Sequence, residues 1–176
     1  MLDLFLSDEY KSEWPKIQKL AESEKEEDFE LLKKYALEGY RLATPAFGLL
    51  RKAETDAIVQ DGDKLINVNK GEQIFVNFVS AGRDPTVFPD PEEIKLDRPE
   101  SSYIHHGYGS HACLGRPMVV TAMAAQLRVF ARLKGLRKAP GLEGQLKRKT
   151  VNGAFKVYMK EDWSAWWPYP TSEFSS

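Results

Sequence analysis

Apolar residues follow two rhythms along this chain. Spacings of three and four, which mark one face of a helix, join Leu4, Leu6, Trp14, Ile17 and Leu20, and recur in "FELLKKYALEGYRL" (29–42) and "GRPMVVTAMAAQLRVFARLKGL" (115–136). They predict a short helix, a second starting near Trp14-Pro15, a third from Phe29 to Leu42 that Pro45 stops, and a long fourth. In the fourth, Val119, Met123, Leu127, Phe130 and Leu133 form the expected core face. The acidic run "ESEKEEDFE" (22–30) reads as a solvated connection or as the first turn of the third helix, where carboxylates suit the dipole.

Between Phe47 and Val79 the period shortens. "AIVQDGDKLINVN" (57–69) offers two strands around Asp61-Gly62, and "EQIFVNFV" (72–79) offers another. The four prolines of "RDPTVFPDPEEIKLDRPE" (83–100) exclude regular helix or sheet and predict an ordered meander. The end, "AFKVYMKEDWSAWWPYPTSEFSS" (154–176), predicts a strand and then an aromatic-proline tail packed over the sheet. The sum is a mainly α chain with a small β-sheet (α+β), without an internal repeat or a clear domain boundary.

Composition changes this picture little. At 176 residues the chain has the length of one domain, and its formal net charge of -1 points to neither nucleic acid nor a membrane surface as partner. The N-terminus lacks the basic start and apolar run of a signal peptide, and no stretch approaches a transmembrane span. A soluble, cytoplasmic protein is expected. The single cysteine excludes an internal disulfide and fits a reducing compartment or a dedicated thiol role.

Candidate chemistry concentrates in "HHGYGSHACLGRP" (105–117), which holds all three histidines and the cysteine. "GYGSHA" (107–112) fits a dinucleotide fingerprint, yet no strand precedes it and no acid occurs between Glu100 and Glu143 to take a ribose. Zinc is a rival, since His105, His106, His111 and Cys113 supply suitable atoms. Adjacent residues rarely point at one metal, however, and paired ligand spacings are absent. For Cys113 the plain alternative is a small buried hydrophobe. Its position argues otherwise, because a glycine-bordered loop opening a long helix aims amides and the dipole at the sulfur, favouring a thiolate. Gly107, Gly109 and Gly115 let backbone approach something flat and large. A thiolate there suits one axial position of a heme iron. Glu38 and Arg41 share a helix face and, taken alone, read as a surface pair.

With these residues in view, the chain resembles the heme-thiolate monooxygenases, the cytochrome P-450 superfamily. Its signature Phe-x-x-Gly-x-Arg-x-Cys-x-Gly is met by Gly109, Cys113 and Gly115 in register, with His106 in the place of Phe and His111 in the place of Arg. Glu38-x-x-Arg41 resembles the family's Glu-x-x-Arg helix, and Arg98 resembles the arginine that completes its Glu-Arg-Arg network. A narrower similarity, carried by "LLKKYALEGYRLATPAFGLLR" (31–51), "YIHHGYGSHACLG" (103–115) and "KEDWSAWWPYPTS" (160–172), is to the fungal fatty-acid diol synthases, or psi-factor-producing oxygenases.

The resemblance implies heme b as cofactor, with Cys113 as the axial iron ligand. Gly109 and Gly115 would clear room for the heme, and His111 and Arg51 would face its propionates. An alternative for His111 is a loop histidine bonded to a carbonyl. His105 is assigned to the surface, and Glu38, Arg41 and Arg98 to a buried structural network. Residues 1–176 then form the C-terminal, proximal-side portion of a P-450 domain, incomplete, without the distal helix, the N-terminal half or a preceding dioxygenase domain. The implied activity of the full-length protein is isomerisation of a fatty-acid hydroperoxide to a diol without a reductase, with the isolated chain not fully active. The alternatives are a truncated remnant without stable heme and a zinc-binding module. Ser101 to Leu142 carries six Lys or Arg and no acid, which reads either as a docking face for an acidic electron donor or as cations suited to a helix C-terminus.

Overall fold

A computed structural model describes residues 1–44, 46–144, 148–151 and 155–159. Helix α1 (Leu2–Phe5) leads into α2 (Trp14–Glu22), which opens with a proline in its first turn, where the missing N–H costs nothing. Helix α3 (Glu26–Leu42) begins three residues before Phe29, because Glu26, Glu27 and Asp28 form its first turn at the positive end of the dipole. Two later helices, α4 (Phe78–Ala81) and α5 (Arg116–Ala131), flank the meander and the histidine-cysteine loop.

The main core lies where α2, α3 and α5 pack against one another. It contains Phe5, Trp14, Ile17, Ala21, Leu32, Tyr35, Ala36, Ala124, Leu127 and Ala131. The buried face of α5 keeps Leu127, with Met123 packed beside it, from the predicted stripe and departs from it elsewhere. Ala124, Leu127 and Ala131 point inward, whereas Phe130 and Leu133 are 41% and 48% exposed. Alanines at the contact let two helices approach α5 closely, which bulky residues would prevent. Arg128 of α5 and Arg132 just beyond its end then donate to the carbonyl of Ala21, and Arg128 also to that of Ser23, serving the C-terminal end of α2.

Strand β1 (Gly48–Lys52), absent from the sequence expectation, pairs antiparallel with β4 (Gln73–Asn77) in the register Gly48↔Asn77 to Lys52↔Gln73. Between them, β2 (Ala57–Asp61) and β3 (Lys64–Val68) form the predicted hairpin, with Gly62 at φ +57. The predicted strand 72–79 ends early. Asn77 Oδ1 accepts the Ser80 N–H at 3.0 Å and starts α4 instead. A third pair joins β5 (Arg148–Val151) to β6 (Phe155–Tyr158), so among the described residues the strands form three two-stranded antiparallel ladders. The meander contains neither α-helix nor strand, in keeping with its prolines, and ends where a single 3-10 turn (Glu100–Ser102) begins. The aromatic-proline tail lies outside the described residues. Among the described residues no helix is long and apolar enough to cross a membrane.

Candidate cofactor site

The site is built from α3 outward. Glu38 and Arg41, one turn apart on its C-terminal half, are 0% and 1% exposed. Arg41 forks onto the carboxylate, with Nε to Oε1 and Nη2 to Oε2 both at 2.8 Å. Its remaining donors leave the helix and reach the carbonyls of Gly82 (2.8 Å), Pro91 (2.5 Å) and Glu93 (3.1 Å). Arg98 approaches the same carboxylate from the meander, with Nε 3.3 Å from Glu38 Oε2, and donates to Pro89, Asp90 and Glu93 carbonyls. Both guanidinium groups lie over the buried Phe88 ring, at 5.0 and 5.5 Å. A segment too rich in proline to satisfy itself is thus held by two arginines that one carboxylate orients.

Tyr103 completes the network, donating its hydroxyl to Glu38 Oε1 at 2.7 Å. The Lys95 N–H also reaches Glu38, at 3.1 Å. Burial pushes the Glu38 carboxyl up, but hydrogen bonds from Arg41 and Tyr103 and the Arg41 charge outweigh it and hold the group below its usual range. Burial and the Glu38 contact push the Tyr103 hydroxyl far up. Sequence reasoning missed Tyr103. Its only signal was an aromatic residue between the meander and the glycine loop.

Immediately after Tyr103 the chain makes two tight turns, Ile104–His106 and Gly109–His111. Gly107 between them sits at φ +85, and a Cβ there would fall 2.3 Å from the His111 carbonyl oxygen, so the loop closes only on glycine. This closure brings the Cys113 N–H 2.7 Å from the His106 carbonyl. The Cys113 carbonyl accepts the Arg116 N–H at 3.1 Å, at the first turn of α5. The thiol itself is exposed.

The histidines separate sharply. His105 was expected at the surface, yet it and His106 are each only 9% exposed. The correction has a plain cause: Tyr40 of α3 presents a flat ring that both imidazoles cover. His105 stacks on it at 4.4 Å and His106 at 4.9 Å, while Tyr103 meets His105 edge-on at 5.8 Å. Burial pushes His105 down to about 3, with the neighbouring His106, Arg116 and Arg41 adding to the effect. His106 is pushed down by burial and by Arg116. His111 lies exposed on the second turn. Arg51 projects from exposed β1, opposite Ile74, and donates to the Leu50 carbonyl at 3.1 Å. The structure therefore joins Glu38, Arg41 and Arg98 in one network and sets Gly109, His111, Cys113 and Gly115 on one loop. Arg51 stands on a separate strand.

Among the described residues no group of three or more His, Cys, Asp or Glu side chains could hold a metal ion, which leaves the zinc alternative without a site there. Heme is a better fit to the loop. Beside the exposed Cys113, Leu114 is fully exposed, Tyr108 78% and Met118 72% exposed. Such side chains suit a large apolar ring. A Cβ on Gly109 would meet nothing within 4 Å, and one on Gly115 would sit 3.6 Å from Cys113 Sγ, so the glycines keep the approach to the sulfur open.

The basic segment is less available than its sequence suggests. Arg116 lies 3.9 Å from Glu100, Arg128 and Arg132 both bind Glu24 (3.0 and 2.5 Å), and Lys138 binds Asp3 at 2.5 Å. Four of its six cations thus have acids from elsewhere in the chain as partners.

Comparison with known proteins follows the same line. The cytochrome P450 family profile matches residues 16–130. A bifunctional dioxygenase–epoxy alcohol synthase of Fusarium oxysporum is 43% identical over 173 residues, which is 97% of this chain and 13% of that protein. Psi-producing oxygenase A of Emericella nidulans is 41% identical over 97% of this chain and 16% of its own length. Linoleate diol synthase of Gaeumannomyces graminis is 31% identical over 76% of this chain and 13% of its length. Among solved structures, the P450 heme domain of Tepidiphilus thermophilus superposes with a TM-score of 0.65 at 26% identity, covering 84% of this chain and 32% of that one. The chain spans between 13% and 16% of the length of these curated relatives.

Proposed function

Because the chain belongs to the cytochrome P450 family, whose cofactor is heme on a cysteine thiolate, we propose that residues 1–176 are the heme-ligating portion of a fatty-acid hydroperoxide isomerase. In the whole protein this portion serves conversion of the hydroperoxide to a diol. One observation carries the reading: a single exposed thiol just before α5, its residue's backbone N–H held by the His106 carbonyl, on a loop whose glycines leave its approach open.

Cys113 would hold the heme iron through its thiolate, a form that a position just before the start of α5 favours. His111 and Arg51 would serve as donors to the heme's carboxylates, and Gly109 and Gly115 would leave room for the ring. Glu38, Arg41 and Arg98 do not react; they hold the meander that leads into the loop. When bound, heme supplies an iron whose electron-rich thiolate ligand favours O–O cleavage. A hydroperoxide and a diol are isomers, so no external electron donor enters the balance. The paired cations of the basic segment suit that scheme, since few are free to receive an acidic electron donor. A reducing compartment such as the cytoplasm keeps the lone thiol available.

A second product reading has its own support, since the 43% identical relative is named an epoxy alcohol synthase. Product analysis of the full-length protein with a fatty-acid hydroperoxide separates diol from epoxy alcohol. The ligand assignment is tested by adding heme to the purified chain, reducing it under carbon monoxide and recording the Soret band. A strongly red-shifted carbonyl band that disappears in Cys113→Ala is the expected result. Absence of heme uptake, or a band indifferent to Cys113→Ala, overturns the assignment.

A further inference from the structure

We propose that Tyr40 is a positioning residue for Cys113, acting through the two histidines stacked on its ring; the proposal rests on reading Cys113 as the heme ligand. The Cys113 thiol is exposed, so its direction is set by the backbone rather than by packing. That backbone is tied on both sides, by the Cys113 N–H to the His106 carbonyl at 2.7 Å and by the Cys113 carbonyl to the Arg116 N–H at 3.1 Å. The second tie belongs to the start of α5 and is secured by that helix. The first is only as well placed as His106.

Side-chain hydrogen bonds do not place His106. Both of its ring nitrogens are buried without a partner, as is His105 Nε2. Burying such groups unpaired opposes folding, so something else must hold the rings where they are. Among the described residues, the ring stacked against both is Tyr40, with interplanar angles of 29° to His105 and 23° to His106. Each imidazole also meets the other, at 4.8 Å.

Tyr40 is well suited to act as a fixed platform. It lies between Glu38 and Arg41 on α3, and Arg41, oriented by two hydrogen bonds to Glu38, ties the helix to the carbonyls of Gly82, Pro91 and Glu93. The far side of the stack is closed by Tyr103, whose hydroxyl is held on Glu38. A continuous physical path therefore runs from the rigid end of α3, through the Tyr40 face, to the His106 carbonyl and the Cys113 amide. A ring is needed at position 40; its hydroxyl is not.

Amide hydrogen exchange of the chain without heme tests this directly. Cys113 amide protection should match in the unaltered chain and Tyr40→Phe. In Tyr40→Leu it should fall roughly tenfold while amides within α3 and α5 keep theirs, the size expected when aromatic stacking is lost. Should Tyr40→Leu also open α3, His106→Ala, which leaves α3 intact, gives the same reading at Cys113. In heme-loaded protein the red-shifted carbonyl band should persist in Tyr40→Phe and weaken in Tyr40→Leu. Cys113 exchange unchanged in both Tyr40→Leu and His106→Ala overturns the proposal. A carbonyl band indifferent to Cys113→Ala instead overturns the ligand reading, and the exchange result is independent of it.

Discussion

Replacing Glu38 by glutamine would leave two guanidinium groups facing each other across a buried site with no counter-charge. Buried pairs broken from one side typically lose about 3–5 kcal/mol. The three carbonyls on Arg41 remain, so the lower end of that range is expected for Glu38→Gln. Tyr103→Phe removes one hydrogen bond to the same charged acceptor and should cost less, about 1.5–3 kcal/mol. Urea unfolding of both variants checks the order, and a larger loss in Tyr103→Phe would contradict the network described. The three charged members were legible only through the resemblance to the heme-thiolate family, since Glu38 and Arg41 taken alone read as a surface pair. Tyr103 was not, since it meets Glu38 across 65 residues and no local pattern encodes that contact. His105 was misjudged for a related reason. A polar residue type suggested the surface, and the stacking partner that buries it sits on another element.

Helices announced themselves better than strands did. Periodicity located α2, α3 and α5, and acidic residues and prolines at their starts follow ordinary end chemistry. The inward face of α5 was read as its bulkiest stripe, but the closeness of α2 and α3 selects Ala124 and Ala131. Strand β1 has no alternation to betray it and exists through its pairing with β4, more than twenty residues away. The β2–β3 hairpin was readable because its turn chemistry is local. Gly62 adopts φ +57 there, and an added Cβ would touch nothing within 4 Å. Gly62→Ala therefore carries only a backbone cost, about 1–2 kcal/mol, and Gly62→Asn less, since asparagine visits that region more readily. Exchange of the β2 and β3 amides should quicken in the alanine variant and little in the asparagine one. The exposed hairpin faces should leave α3 and α5 amides unaffected.

A formal net charge of -1 gives the molecule little self-repulsion near neutrality, so groups with displaced titration govern its stability against pH. His105 dominates on the acid side. Burial, then His106, Arg116 and Arg41, push it from 6.5 down to about 3 in the folded protein. Between those values the unfolded chain takes up a proton that the folded chain refuses. Stability is therefore full above pH 6.5 and falls as pH drops towards 3, by about 1.4 kcal/mol per pH unit. His106, also pushed down by burial, adds to the loss with the same sign. Glu38, held below its usual range, adds a further loss only once pH falls below about 4.5. Moving from pH 7.5 to pH 5 should thus cost about 2 kcal/mol through His105 alone, visible as a lower urea midpoint. His105→Phe keeps a ring on Tyr40 and removes the titrating group, so its midpoint should change less between the two pH values. Equal midpoints for the unaltered chain at pH 7.5 and 5 would mean that the stacked histidines are hydrated and protonated in the folded protein, and the Tyr40 platform would then be absent in solution.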